Sequence, residues 1–324
     1  MSGLSDSFQR PINYLRISVT DRCNFHCIYC TSHQEFIPLC HSDILSYEEM
    51  HAIVQAAASL GVSKVRLTGG EPLRRANISH LVRLLSSVDG IDDISLTTNG
   101  LLLRQHAADL KAAGLRRVNV SLDTLDRRKF EKITGCDALE EVLAGIGTAS
   151  AVGLTPVKIN MVVMGGINDD EVLNFALLSK ERGWHVRFIE LMPFVQNGIR
   201  FVPAQQIREQ LAGLGHLEET LPPAGNGPAK YYRMPGAQGT IGFITPVSEH
   251  FCFGCNRLRL TADGKLLPCL LSSEEIDLRP ALRAEASAEE LIALIKKAVA
   301  SKPKGHLLGQ VPIPSDRQMT QMGG

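Results

Sequence analysis

Three cysteines lie within eight residues near the start of the sequence. The stretch TDRCNFHCIYC, residues 20–30, contains Cys23, Cys27 and Cys30, with three residues between the first two and two residues between the last two. Structural zinc normally takes four protein ligands, and disulfides take cysteines in pairs. Three closely spaced thiols therefore indicate a metal or a cluster that keeps one coordination position open.

The spacing of these cysteines favours an iron–sulfur cluster. In a four-iron cluster each cysteine binds a different iron atom, so three thiolates leave one iron free. The alternative is a zinc ion with a more distant fourth ligand, for which His26 and His33 are the nearest candidates. Because CxxxCxxC is unusual for zinc fingers, we favour the cluster.

A second cysteine trio lies in FCFGCNRLRLTADGKLLPC, residues 251–269, where Cys252 and Cys255 form a CxxC and Cys269 follows after thirteen residues. Zinc is the serious alternative here, since CxxC is common in zinc sites and His250 or His306 could complete one. The neighbouring arginines shift the balance towards a second cluster with an open iron beside an anion-binding patch. These arginines are Arg257 and Arg259.

The composition is that of a globular enzyme. The chain has 324 residues, of which 44% are hydrophobic and 21% charged. Its 34 basic and 34 acidic residues balance, so no basic field indicates nucleic acid as a partner. We find neither a signal-peptide pattern nor an apolar run long enough to cross a membrane, and expect a cytoplasmic protein. Six of the eight cysteines fall in the two trios, which suits metal binding in a reducing compartment.

Strand-like and helix-like patterns alternate up to about residue 192. The predicted strands span residues 14–19, 64–68, 93–98, 117–122, 157–163 and 185–191. Strands that alternate with helices form parallel sheets with right-handed crossovers. The spacing predicts an α/β fold of the incomplete (β/α)6 barrel type, with a doubly wound sheet as the alternative. Both architectures place chemistry at the carboxyl ends of the strands.

Capping signals predict where several helices begin and end. Ser46 with Glu49, Asn168 with Glu171, and Ser287 with Glu290 each have the spacing of a capping box. Glycines predict four helix ends, at Gly61, Gly114, Gly153 and Gly183.

From about residue 200 the alternation stops and Gly and Pro become frequent. We therefore divide the chain into a partial barrel, residues 1–199, and a smaller C-terminal region, residues 200–324, that carries the second cysteine trio and ends in two glycines.

Five cations are predicted near the mouth of the sheet. Arg16, Arg66 and Lys158 lie on the first, second and fifth strands, and Arg257 and Arg259 come from the C-terminal region. Arginine presents a planar fork that suits phosphate oxygens, and lysine acts as a point charge. In a protein of zero net charge, this grouping indicates a polyphosphate substrate.

Two of these motifs together resemble a known superfamily. CxxxCxYC after the first strand and GGEP, residues 69–72, after the second are similar to the radical S-adenosylmethionine superfamily. The resemblance implies a partial (β/α) barrel in which Cys23, Cys27 and Cys30 hold a [4Fe-4S] cluster. It also implies that S-adenosylmethionine binds the fourth iron and yields a 5'-deoxyadenosyl radical when the cluster supplies an electron.

Within that superfamily the chain resembles the GTP 3',8-cyclase family, which begins molybdenum cofactor biosynthesis. The resemblance extends from about Tyr14 to Gly324. Its further marks are VRLTGGEP, TTNG, VKIN, RFIELMP, GFITPVSEHFCFGCNRLRLTADG and the final GlyGly.

This resemblance implies a role for each matching residue. S-adenosylmethionine would contact Tyr29, Gly70, Ser121 and Met192. A second [4Fe-4S] cluster on Cys252, Cys255 and Cys269 would receive the guanine base. GTP would be bound, mainly through its triphosphate, by Arg16, Arg66, Thr97, Lys158, Arg257 and Arg259.

The implied reaction removes hydrogen from ribose C3' and joins that carbon to guanine C8, which gives 3',8-cyclo-7,8-dihydro-GTP. The implied partners are a reductant protein for the cluster and, downstream, cyclic pyranopterin monophosphate synthase; a homodimer is a further candidate. Gly323 and Gly324 would insert towards the active site. One departure is visible, because family members often continue Met-Pro after the third cysteine and this chain has Thr31 and Ser32. The cluster ligands are unaffected, and the change leaves open how this loop contacts the cofactor.

Two other functions compete with this interpretation. The first is a radical S-adenosylmethionine enzyme that modifies a peptide, although a peptide needs no triphosphate-binding cations and such enzymes generally have more cysteines in their auxiliary sites. The second is a zinc-stabilised binding module.

Overall fold

Six parallel strands form the centre of the sheet, in the order in which they occur in the sequence. The computed structural model describes residues 3–30, 37–194, 198–225, 227–306, 308 and 319–322. The central strands are β1 (Tyr14–Ser18), β2 (Lys64–Thr68), β3 (Asp93–Thr98), β4 (Arg117–Ser121), β5 (Lys158–Gly165) and β6 (His185–Glu190). Each is paired in parallel with the next. The predicted α/β fold and all six predicted strands are confirmed.

Six helices accompany these strands: α1 (Tyr47–Ser59), α2 (Ile78–Ser86), α3 (Leu103–Ala112), α4 (Arg127–Thr134), α5 (Leu139–Ala151) and α6 (Val172–Glu181). Ser46 and Glu49 form the predicted capping box of α1. Gly61, Gly114, Gly153 and Gly183 follow their helices with positive φ, the conformation that favours glycine at helix ends.

The predicted cap at Asn168 is wrong. A short 3-10 turn, Asp169–Glu171, precedes α6, and the side chain of Asn168 makes no capping bond. Its Oδ1 instead accepts from Met164 N at 2.7 Å, while its Nδ2 donates to Asp123 O at 2.7 Å and to Val162 O at 2.9 Å. These partners on and beside β5 take the hydrogen bonds that a local capping box would have used.

The C-terminal part adds strands at both sides of this central sheet. Its elements are β7 (Arg200–Phe201), α7 (Ala204–Leu211), β8 (Glu218–Thr220), β9 (Lys230–Arg233), β10 (Thr240–Ile244), β11 (Arg257–Leu260), β12 (Lys265–Leu267), β13 (Ile276–Asp277), α8 (Arg279–Arg283), α9 (Ala288–Ala300) and α10 (Met319–Met322). Strand β10 pairs in parallel with β6, and β11 pairs in parallel with β1. Ser287 and Glu290 form the predicted capping box of α9. The strands that follow residue 200 therefore extend the central sheet at both of its edges.

Alternation along each strand separates an apolar face from a polar face. On β1, Leu15 and Ile17 are buried and belong to the hydrophobic core that also contains helix residues such as Ile53 and Val54. Because successive side chains point to opposite faces of a strand, Arg16 lies on the other face. The helices thus cover one side of the sheet, and the polar side is left to form a site.

No helix in the described ranges is long and apolar enough to cross a lipid bilayer.

Glu190, at the end of β6, connects three segments near the second cysteine trio. Glu190 is 1% exposed. It accepts from Ala204 N at 2.9 Å, Val247 N at 3.0 Å and Ser248 N at 2.9 Å, and also from the Ser248 hydroxyl. One buried carboxylate therefore holds the start of α7 and the turn that precedes Cys252.

We expect Glu190→Gln to loosen this junction, because an amide N–H would face backbone donors in place of one carboxylate oxygen. An unpaired buried donor costs about 1–3 kcal/mol. This corresponds to an increase of roughly 5- to 150-fold in the equilibrium constant for local opening of the junction. Hydrogen–deuterium exchange of peptides containing Ala204, Val247 and Ser248 measures this. Glu289→Gln, at an exposed position on α9, is the matched control and should change nothing. Unaltered exchange in Glu190→Gln would contradict the assignment.

Candidate active site

A cavity of about 320 Å³ lies at the carboxyl ends of the parallel strands. Residues from β2 to β6 line it, among them Thr68, Thr97, Ser121, Asn160 and Ile189. Five of the six cysteines from the two trios also line it: Cys23, Cys30, Cys252, Cys255 and Cys269. The structure therefore brings together two cysteine groups that are more than 220 residues apart in the sequence.

The loop after β1 carries the first trio and is held against α4. His26 N donates to Thr134 O at 2.8 Å and Ile28 N donates to Ile133 O at 3.0 Å, while Cys30 N donates to Cys27 O at 2.9 Å. Cys27 packs against the hydrophobic core and is the one member of the two trios outside the set of described residues that line the cavity.

The thiols of the first trio lose their protons less readily than ordinary cysteines when no cation is present. Burial raises the pKa of Cys23 and Cys27, and burial together with Cys23 raises the pKa of Cys30 to about 12. Metal binding requires the thiolate form, which a cation at the site stabilises. All eight cysteines are free thiols, so none is lost to a disulfide.

Gly69 and Gly70 bring the loop after β2 against the start of the cysteine loop. A Cβ at Gly69 would lie 2.4 Å from Thr20 O, and one at Gly70 would lie 2.4 Å from Arg22 O. Gly70 N donates to Thr20 O at 2.7 Å, and Glu71 N donates to Arg22 O at 2.8 Å. Both glycines line the cavity. They are required for close backbone packing under the cysteine loop, whatever they contribute to a ligand.

Tyr29 is tied to the ends of β4 and β5 through Asp123. Its hydroxyl donates to Asp123 Oδ2 at 2.7 Å, and Asp123 Oδ1 accepts from Val162 N at 2.8 Å. Burial raises the pKa of Asp123 to about 6, although both hydrogen bonds oppose that shift. Asp123 lines the cavity, whereas Tyr29 is outside the set of described residues that do so. The sequence interpretation did not identify this carboxyl group as part of the site.

The second trio forms a compact group at the other side of the cavity. Cys252 begins a 3-10 turn, and Cys255 N donates to Cys252 O at 3.1 Å. Burial raises the pKa of Cys255, but Arg257 and Lys302 outweigh it and bring the value down to about 7. The guanidinium Nη2 of Arg257 lies 3.9 Å from the Cys255 sulfur. These two cations therefore favour the thiolate form of Cys255.

Arg10 anchors the Cys252 turn from the N-terminal segment. Its Nη1 donates to Cys252 O at 2.6 Å and to Lys304 O at 2.9 Å, and its Nη2 donates to Pro303 O at 2.6 Å. Asp6 pairs with its Nε at 2.6 Å. No short-range signal in the sequence indicates this contact.

The two histidines that could have completed a zinc site pack edge to face near the second trio. The rings of His250 and His306 are 4.4 Å apart and nearly perpendicular. His306 Nε2 lies 2.9 Å from Pro246 O. Among the described residues, no three His, Cys, Asp or Glu side chains converge on a point suited to one metal ion. A four-iron cluster does not require such convergence, because each thiolate binds a different iron. The cysteine-only composition of both trios fits such a cluster.

Three arginines lie side by side across adjacent strands. Arg16 on β1 is in register with Arg66 on β2 and with Arg259 on β11. All three line the cavity, as does Arg257. Burial and then repulsion from Arg259 lower the pKa of Arg16, and burial and then Arg257 lower the pKa of Arg259 to about 10. Neighbouring strands are about 4.8 Å apart, so this row is a buried positive surface suited to an anion.

Lys158 is on the same polar face but outside the set of described residues that line the cavity. Its ammonium donates to Ala224 O at 2.6 Å and lies 3.5 Å from Pro223 O. Burial, followed by repulsion from Arg187 and Arg117, lowers its pKa to about 6. The remaining predicted contacts, Thr97, Ser121 and Met192, all line the cavity.

Arg187 is a cation of the cavity that the sequence interpretation missed. It is 3% exposed and lines the cavity, and its Nη2 donates to Asn119 Oδ1 at 2.8 Å. Its Nε, Thr97 Oγ1 and Asn160 Oδ1 are buried without a hydrogen-bond partner in the described part of the chain. Alternation on β6 would have revealed Arg187, since it occupies the same strand face as Lys158 and Asn160 do on β5.

Five positions singled out from the sequence lie outside the described residues: Thr31, Ser32, His33, Gly323 and Gly324. The residues just before the final glycines reach the site: Met319 and Thr320 line the cavity, and Arg259 Nη1 donates to Met322 O at 3.3 Å.

Two family models match the chain. The Radical SAM superfamily model matches residues 17–178, and the Molybdenum Cofactor Synthesis C model matches residues 184–308. Among solved structures, Streptococcus suis SuiB bound to S-adenosylmethionine has a TM-score of 0.63 and 16% identity, with coverage of 88% of this chain and 68% of SuiB. At that identity the similarity concerns the fold.

Full-length relatives are much closer. The chain is 51% identical to the GTP 3',8-cyclase of Pelotomaculum thermopropionicum, over 99% of this chain and 100% of the relative. It is 49% identical to the GTP 3',8-cyclase of Moorella thermoacetica, with the same coverage. With this identity along the whole length, and with both cysteine trios at one cavity, the chain belongs to the GTP 3',8-cyclase family of radical S-adenosylmethionine enzymes.

Proposed function

We propose that the chain converts GTP to 3',8-cyclo-7,8-dihydro-GTP, the first step of molybdenum cofactor biosynthesis, in the cavity between the two cysteine trios. The observation that carries this proposal is the in-register row Arg16, Arg66 and Arg259 between those trios. Such a row suits a triphosphate, and the trios on either side of it suit the two clusters that the reaction uses.

The first trio holds the [4Fe-4S] cluster that binds S-adenosylmethionine. Cys23, Cys27 and Cys30 supply the thiolates, and Gly70, Ser121 and Met192 contact S-adenosylmethionine at the ends of β2, β4 and β6. When bound, the cluster and S-adenosylmethionine would supply the radical chemistry that removes hydrogen from ribose C3'. Tyr29 acts through its hydrogen bond to Asp123, which keeps the cysteine loop at a fixed distance from β4 and β5.

Cys252, Cys255 and Cys269 of the second trio would hold a second [4Fe-4S] cluster, which would bind the guanine base. Two features support this assignment. All three cysteines line the cavity, and the cations beside Cys255 favour its thiolate.

The cations bind and orient the triphosphate. Arg16, Arg66, Arg257 and Arg259 face the cavity from three adjacent strands, so their planar donor groups can hold oxygens of successive phosphates. Lys158 adds a charge from β5, and Thr97 offers a buried hydroxyl without a partner in the described chain. Fixing both ends of GTP keeps C3' and C8 at reacting distance, which replaces random encounters by a preset geometry.

The remaining assignments concern the setting of the reaction. A reductant protein supplies electrons, cyclic pyranopterin monophosphate synthase takes the product, and Gly323 and Gly324 insert towards the active site. We also propose a cytoplasmic location, a homodimer, and a division at residues 199 and 200 into a barrel and a C-terminal region.

The substrate is tested directly by product formation. With GTP, S-adenosylmethionine and a strong reductant, the reconstituted chain should release 5'-deoxyadenosine in step with 3',8-cyclo-7,8-dihydro-GTP, both measured by mass spectrometry. ATP is the control and should give neither product above background. If GTP stimulates no 5'-deoxyadenosine release while a peptide does, the substrate assignment is wrong; a colourless zinc protein would overturn the enzyme assignment itself.

Cys269→Ala separates the roles of the two trios. We expect this variant to keep the first cluster and to lose cyclisation, because the second cluster loses one of its three ligands. Iron content and absorption spectra report the clusters, and product analysis reports cyclisation. Cys40→Ala, which changes an exposed cysteine outside both trios, is the control. Retained cyclisation in Cys269→Ala would show that the second trio has a structural role.

Lys158 should make GTP binding depend on pH. Its pKa of about 6 means that it is largely neutral at pH 8 without substrate, whereas a bound triphosphate favours the ammonium. Binding then takes up a proton, so affinity falls as pH rises from about 6 to 8, by at most about tenfold per pH unit.

Calorimetric titrations with GTP over that range measure the slope for the wild type and for Lys158→Met. The titration of GTP itself is common to both proteins and cancels in the comparison. Lys296→Met, at an exposed position on α9, should keep the wild-type slope. An equal slope in Lys158→Met would exclude Lys158 as the group that takes up the proton.

A further inference from the structure

A buried lysine joins the chain segments that carry the second cysteine trio. Lys302 follows the end of α9 and is 4% exposed. It lines the cavity together with Cys252, Cys255 and Cys269. A lysine is almost never fully buried unless its ammonium is paired, so its partners define what it does.

The partners of Lys302 are two backbone carbonyls. Its Nζ donates to Arg257 O at 2.8 Å and to Pro268 O at 2.6 Å. Arg257 follows Cys255 by two residues, and Pro268 directly precedes Cys269. One ammonium therefore fixes the separation of the two segments that present Cys255 and Cys269.

The charge of Lys302 also acts on the sulfurs themselves. It interacts electrostatically with both Cys255 and Cys269. The reduction potential of an iron–sulfur cluster depends on net charge and on polar groups around its sulfurs. A reduced cluster carries one more negative charge than an oxidised one, so a fixed cation nearby favours reduction.

The other cations around this trio are engaged differently. The hydrogen bonds of Arg10 go to the carbonyls of Cys252, Pro303 and Lys304 and to Asp6. Arg259 is in the arginine row and Arg257 lines the same cavity, and we assign both to the triphosphate. Lys302 combines a link between two cysteine segments with a charge close to two of the sulfurs.

We propose that Lys302 is a positioning residue of the second iron–sulfur site: it holds the segments of Cys255 and Cys269 together, and its charge raises the reduction potential of the cluster bound there. This inference rests on the second cluster of the proposed function.

The test compares Lys302→Gln with Lys302→Arg in the anaerobically reconstituted full-length chain. Glutamine keeps an N–H donor but removes the charge, and arginine keeps both. Lys304→Gln is the matched control, because it makes the same change two residues further on, at an exposed side chain. Iron and sulfide analysis counts the clusters, and redox titration followed by electron paramagnetic resonance gives their potentials. Addition of S-adenosylmethionine identifies the signal of the first cluster.

We expect Lys302→Gln to make the second cluster at least about tenfold harder to reduce, which is about 59 mV for one electron. The first cluster should keep its potential in every variant and acts as an internal reference. Lys302→Arg should stay within about threefold of the wild type in the same equilibrium, and Lys304→Gln should be unchanged. Selective loss of the second cluster in Lys302→Gln, with the first retained, would also support the positioning role.

Three results would overturn the proposal. The first is an unchanged second potential in Lys302→Gln with full iron content. The second is loss of both clusters in that variant, which would indicate a general contribution to folding. The third is a Lys302→Arg protein that behaves like Lys302→Gln, since the charge would then have no role.

The iron content of the wild-type chain separates these results from a failure of the proposed function. About eight iron atoms per chain are expected for two clusters and about four for one. A wild type with one cluster would show that the second cluster, rather than the role of Lys302, is wrong.

Discussion

The burial of several cations on one face of a parallel sheet is the constraint on which this structure depends. Arg16, Arg66 and Arg259 lie in register on adjacent strands, and Arg187 and Lys158 lie on the same polar face. Taking a charge out of water is costly unless it is paired. Burial lowers the pKa of Arg16, Arg66, Lys158 and Arg259, which shows that this cost is present in the folded chain.

The opposite face of the same strands offsets that cost. Leu15, Ile17, Val65 and Leu67 are fully or almost fully buried in one hydrophobic core with the helices, and burying each such side chain contributes about 1.5–3 kcal/mol. The strict alternation of the strands therefore lets one face stabilise the fold while the other remains unfavourable without a ligand. In the proposed function, a polyanionic substrate would add negative charge to this face and relieve the repulsion between these cations.

Much of this arrangement could be predicted from the sequence, because it depends on local patterns. Alternating residues indicated all six central strands, and the capping boxes at Ser46 and Ser287 were correct. Asn168 shows the limit, because its side chain finds partners on β5 and beside Asp123 that outweigh the local capping signal. The glycines after β2 were correctly marked as points of close approach, but the backbone that approaches them belongs to Thr20 and Arg22.

The contacts around the second trio could not be predicted in this way. Arg10 reaches Cys252 across 242 residues of sequence, and Lys302 reaches Pro268 across 34. No periodicity or spacing encodes such pairs, since they exist only after β11 has been placed beside β1. Arg187 differs, because the alternation of β6 already placed it on the polar face. Local patterns in the sequence therefore indicate strand residues that face the cavity, Arg187 included. They do not indicate the long-range contacts that hold the second trio in place.

Pairing of β11 with β1 explains why two incomplete cysteine groups can serve one reaction. The first trio follows β1, whereas Cys252 and Cys255 precede β11 and Cys269 follows β12. Because β1 and β11 are parallel neighbours, the arginine row between them is bounded by a trio on each side. In the proposed function, a ligand bound along this row has a cluster on each side of it. Three cysteines in each group, rather than four, would suit that arrangement, since a fourth thiolate at either site would occupy the position that cofactor or substrate takes in the proposal.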